Sequence, residues 1–147
     1  MQQALAEAEK GLSAGEVPVG AVLAGPDGQI VARAHNQPIT LQDPTAHAEI
    51  LVIRKAGLFF GNYRLNDTLL VVTVEPCIMC MGAAIHARIA RLVFGSPDPK
   101  GGAAGSLYNV ASDKRLNHEI EVTPGIMEQE CRELIEGFFR GRREKKA

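Results

Sequence analysis

Two short segments hold the residues best suited to chemistry: Thr45-Ala46-His47-Ala48-Glu49 and Glu75-Pro76-Cys77-Ile78-Met79-Cys80. Cysteines three apart on a helix project from one face. Near a helix start, free N–H groups and the helix dipole favour thiolate over thiol. Cys77, Cys80 and His47 would give two sulfurs and one imidazole, a good donor set for Zn²⁺. Three protein donors leave a fourth tetrahedral position open, which is the catalytic arrangement, and water there has its pKa lowered toward ~7. Glu49, two residues from His47, is near the metal but points elsewhere in an ideal helix, as a proton shuttle requires. Other readings of the same residues are a thiol redox pair and half of a closed zinc knuckle. The closed site needs a fourth ligand from Cys131, His35, His86 or His118. Cys131 reads instead as a small core residue on an amphipathic helix. His47 and Glu49 disfavour the redox pair.

The elements that must carry these residues follow from periodicity and punctuation. Residues 2–14 read as a helix with Gly15 just beyond its end. Residues 17–24 and 29–35 are β-rich and split by Gly25-Pro26-Asp27-Gly28, a hairpin signal. Asp43-Pro44 is expected to start a helix that runs to about Gly57. Residues 67–74 read as a strand buried on both faces, Pro76 as the opening of a helix to about Ala87, and 90–95 as another strand. The loop 96–106 holds three glycines and two prolines but no Gly-Lys-Ser/Thr ending, so no nucleotide cofactor is expected. A weak strand at 119–122 and a final helix over about 127–145 complete the order α-β-β-α-β-α-β-(β)-α. That order implies an α/β fold: a mixed sheet of about five strands with helices on both faces.

At 147 residues the chain suits one domain, expected to span 1–147. No apolar run approaches the ~18 residues of a membrane span. The first ten residues carry three charges and no signal-peptide stretch, and three cysteines are too few for a disulfide framework, so a cytoplasmic protein is expected. The formal net charge of −1 hides an asymmetry. Residues 140–147 hold five basic side chains and one acid, +4, while the other 139 residues hold 11 basic and 16 acidic ones, −5. Such an end is either a phosphate-binding arm or a solvated helix terminus.

His-Ala-Glu followed by Pro-Cys-x-x-Cys is similar to the signature of the zinc nucleobase deaminases. The chain more closely resembles the bacterial tRNA-specific adenosine deaminases, through EVPVGAV (16–22), DPTAHAEI (43–50), NYRL (62–65) and VTVEPCIMC (72–80). The likeness continues through 82–84, 88–95, 102–107, 116–118 and 138–143. The resemblance implies a three-layer α/β/α fold of the cytidine-deaminase type, a homodimer, and hydrolysis of adenosine to inosine at the wobble position (34) of a tRNA anticodon. It implies one zinc per chain on His47, Cys77 and Cys80, with Glu49 as proton donor. It matches Asn36 to a contact with a flipped-out nucleotide, Asp98 to the anticodon loop, and Phe139, Arg142 and Arg143 to an aromatic and basic helix end. Two features depart from the pattern. Pro97 and Pro99 flank Asp98, and position 1 falls inside the family's first helix, ahead of which its usual leading residues lie. The rival functions are deamination of free cytosine, cytidine or guanine, and a non-catalytic zinc-stabilised RNA-binding module.

Overall fold

Two mainly apolar segments, Gly20–Ala24 (β1) and Leu69–Val74 (β3), occupy the middle of a five-stranded sheet, where both faces are covered. In the computed structural model, which describes residues 1–147, β2 (Ile30–His35) flanks β1 on the outside. On the other side β3 is followed by β4 (Arg91–Ser96) and β5 (Glu121–Thr123). The β1–β2 and β1–β3 pairs are antiparallel, and the β3–β4 and β4–β5 pairs parallel. The hairpin turns at Gly28, whose φ of +82° is open to glycine at no steric cost. The sheet is therefore mixed, with the five strands and the weak β5 that the apolar pattern predicts.

Side-chain alternation divides the core. Ala21 and Leu23 of β1, Leu70 and Val72 of β3, and Leu92 and Phe94 of β4 face one side. There they pack on α3 (Ala48–Phe60) and α4 (Ile78–His86) through Val52, Ala56, Met81 and Ala84. The intervening Val22 and Val71 face the other side and meet Ala4 of α1 (Gln2–Ser13). A long helix, Glu128–Lys146, shares that second face, with Cys131 seated over Gly95 so closely that a Cβ there would overlap its sulfur. It is α5, because a four-residue helix α2, Pro38–Leu41, also forms. The result is three layers, helices on both sides of the sheet, and no helix long and apolar enough to cross a membrane.

Helix starts differ from expectation in an instructive way. Asp43 does not open α3: its Oδ1 accepts the Thr45 N–H at 2.8 Å and the Thr45 hydroxyl at 2.7 Å, forming a local turn instead. The helix begins five residues later at Ala48 and runs past Gly57 to Phe60, ending at Gly61 with φ +63°. Likewise α4 begins at Ile78, not Pro76, because residues up to Cys77 keep extended backbone and bridge to Gly102. Both corrections move a ligand candidate onto a helix boundary.

Candidate metal centre

His47 is the N-cap of α3 and Cys77 the N-cap of α4, each with extended backbone, so the two helices begin at the residues that meet. His47 Nδ1 lies 3.6 Å from Cys77 Sγ and 3.5 Å from Cys80 Sγ. A tetrahedral zinc with its usual bond lengths of ~2.3 Å to sulfur and ~2.05 Å to nitrogen separates those donors by ~3.6 Å. All three donor atoms lie within 4.8 Å of one another, so the residues fit a single ion. The three donors are also close enough to govern one another's ionisation. A hydrogen bond from the Cys80 thiol holds Cys77 down to about 3, while that donation and burial push Cys80 up. The His47 imidazole is raised, first by its hydrogen bond with Cys77.

No fourth protein ligand joins this group. His118 Nε2 bonds the Ile89 carbonyl oxygen at 2.7 Å, His35 Nδ1 lies 3.0 Å from the Asn36 carbonyl oxygen, and Cys131 is on α5, seated against Gly95 of β4. His86 is exposed in the last turn of α4. The closed-knuckle alternative has no donor to complete it. Glu49 sits in the first turn of α3, is 3% exposed, and lies outside the three-donor group. Its Oε1 is buried without a hydrogen-bond partner. Leaving a buried acceptor unpaired costs about 1–3 kcal/mol, so this atom is held for something the chain does not itself supply. Burial pushes the Glu49 carboxyl up from its ordinary range.

The remaining sequence candidates fall at two places. Asn36 is buried beside the centre, where its Oδ1 accepts the Ala48 N–H at 2.8 Å. That bond commits its oxygen to the start of α3, and its amide nitrogen makes no hydrogen bond within the chain. Asp98, Phe139 and Arg143 line one open groove of about 710 Å³ between the loop after β4 and the end of α5. Arg142 does not line it; its guanidinium lies over the Phe138 ring, 5.0 Å from the centroid. Arg140, from the basic end, and Lys100, which the sequence does not mark, add two cations to that groove, and Glu136 adds an acid. A lysine in a glycine-rich loop carries no motif that marks it.

Comparison with known proteins agrees with this geometry. Residues 1–96 match the cytidine and deoxycytidylate deaminase zinc-binding region. The tRNA-specific adenosine deaminase of Bacillus subtilis is 48% identical over 146 residues, 99% of this chain and 90% of that protein. A solved tRNA:A34 deaminase, studied for A-to-I editing at the wobble position of transfer RNA, superposes with a TM-score of 0.88 at 46% identity. The match covers 91% of this chain and 96% of that one. The guanine deaminase of Bacillus subtilis is more distant, with a TM-score of 0.64 and 32% identity over 97% of this chain and 90% of its own. The chain belongs to the cytidine and deoxycytidylate deaminase family and, within it, to the tRNA-specific adenosine deaminases.

Proposed function

We propose that this enzyme deaminates adenosine to inosine at position 34 of a tRNA anticodon, with one zinc per chain held by His47, Cys77 and Cys80. The observation that carries the chemistry is the buried, unpartnered Oε1 of Glu49 beside a three-donor cluster that no fourth protein ligand joins. Zinc, when bound, supplies the Lewis acidity that makes water a nucleophile at neutral pH. The chain's residues do the rest. Glu49 takes one proton from the attacking water and delivers it to N1 of the base, then takes the second from the new C6 hydroxyl and gives it to the amino group, so that the C6–N bond breaks, ammonia leaves and the C6 carbonyl forms. Asn36, its oxygen anchored on Ala48, offers its amide N–H groups to the flipped-out nucleotide. The starts of α3 and α4 add positive potential where charge develops. A target base must be unstacked to reach such a buried centre, which suits an anticodon loop.

The groove's three cations, Lys100, Arg140 and Arg143, outnumber its two acids, Asp98 and Glu136, which supports RNA over a free base, since a phosphate chain needs cations and a nucleobase does not. A homodimer is supported by apolar side chains at the end of α3, where Leu58 is 86% and Phe59 65% exposed. Light scattering of the purified protein reads that state directly. The function is tested by presenting an anticodon stem-loop with adenosine at the wobble position, beside free adenosine, cytidine, cytosine and guanine. Inosine should form only in the stem-loop. Turnover of guanine or cytosine with none of the stem-loop would establish the free-base reading instead.

A further inference from the structure

The residue before Pro76-Cys77 is a buried acid that the chemistry above leaves unused. Glu75 is 4% exposed, and no cation approaches its carboxylate. Its Oε1 accepts the Asp98 N–H at 3.1 Å and the Ser106 hydroxyl, and its Oε2 accepts the N–H groups of Ala104 at 3.0 Å and Ser106 at 3.1 Å. Four donors from both ends of one loop therefore converge on one carboxylate. The loop also leaves a slot for it: a Cβ on Gly102 would overlap the Glu75 carboxyl group. The backbone on either side joins the same contact, with the Glu75 N–H donating to the Ser96 oxygen at 2.9 Å and the Ala103 N–H donating to the Pro76 oxygen at 2.8 Å.

We infer that Glu75 is a positioning residue for substrate binding, fixing the 97–106 loop to the segment that carries Cys77 and so setting one wall of the groove. Pro97, Asp98 and Lys100 of that loop face Phe139 and Arg143 across the groove. Buried hydrogen bonds to a charged acceptor are among the stronger ones a loop can have, so this carboxylate sets how far the loop stands from the metal segment and from α5. The loop then offers RNA a preformed wall, and the ordering cost is met in folding rather than on binding. The inference rests on the RNA-deaminase reading and deepens it: Glu75 acts through the loop on substrate affinity, not on the bond-making step.

Steady-state kinetics on the adenosine-containing anticodon stem-loop test this, with zinc content measured for each variant. Glu75→Gln sets an NH₂ against backbone N–H groups that need an acceptor. It should raise KM about tenfold, keep kcat within about threefold and retain full zinc. Ser106→Ala removes only the hydroxyl bond from an exposed residue, so it should fold normally and raise KM about threefold. Because Lys100 rides on the same loop, the Lys100→Ala and Ser106→Ala losses in KM should combine to less than their product. A fall in kcat at unchanged KM, loss of zinc from Glu75→Gln, or unchanged KM in Ser106→Ala each overturns the inference. If Glu75→Gln does not fold, Ser106→Ala and its combination with Lys100→Ala decide it. An intact protein that never turns over the stem-loop overturns the function itself, a result distinct from an active enzyme indifferent to these substitutions.

Discussion

Glu49 has to remain both buried and unpaired, and few side chains in a folded protein are held in that condition. Its neighbours explain how: its position in the first turn of α3 fixes its backbone, and nothing in the chain reaches Oε1. Glu49→Ala should retain zinc and fold while activity falls by at least the ~10²–10⁴ of a lost acid–base group. Metal analysis and inosine formation in the same preparation check it, and near-normal turnover would remove Glu49 from the reaction. At this scale the sequence was informative where function needs a rare residue type. His47, Cys77, Cys80 and Glu49 stand out because imidazole, thiolate and carboxylate at that spacing have few other uses. Glu75 and Glu16 do not stand out, because their partners are backbone N–H groups on distant segments that only the fold gathers.

Glu16 also shows how an element the sequence did not announce comes to exist. The helix α2 has only four residues, too few to be stable by itself, and no apolar periodicity marks it. It forms because the Glu16 carboxylate, 1% exposed, accepts the Thr40 N–H at 2.7 Å, the Thr40 hydroxyl at 2.9 Å and the Ile39 N–H at 3.4 Å. Burial pushes this carboxyl up, but the bonds from Thr40 and Ile39 outweigh it, leaving it below its ordinary range. A carboxylate lowered in the folded state stabilises above its unfolded pKa, and that contribution is lost as pH falls through the folded value. Glu16→Gln should therefore cost about 2 kcal/mol near neutral pH, and the gap should close below about pH 4.5. Denaturant unfolding at several pH values checks this; a gap independent of pH would assign the cost to packing. Strands were easier to read than helix starts. Two-sided burial writes itself as a nearly continuous apolar run in β1 and β3, whereas Asp43 spends its oxygen on Thr45 and so resembles a cap without being one.

Across the whole molecule, charge is arranged against the net value of −1, with the basic end of α5 beside Lys100 and on a body that is otherwise acidic. The two arginines there are not equivalent, since Arg143 lines the groove and Arg142 covers Phe138. Arg143→Glu should weaken stem-loop binding and flatten its salt dependence by close to one counterion, whereas Arg142→Glu should do less. Affinity measured against salt for both variants checks it, and equal effects would place the RNA along the helix rather than in the groove. The metal centre has a consequence of another kind. His47 and Cys77 are thirty positions apart and start two separate helices, so a single ion held by both would tie the chain into a closed ring. By cross-link entropy, a ring of that size removes unfolded conformations worth about 3–4 kcal/mol. Chelation should then lower the midpoint of thermal unfolding by roughly 10 °C, and Cys80→Ala, already short of a ligand, should respond far less. A scan unchanged by chelator would mean that the ring never closes. On the proposed ligand set, the ion that would activate water would also be a stitch in the polymer, and losing it would cost the fold as well as the reaction.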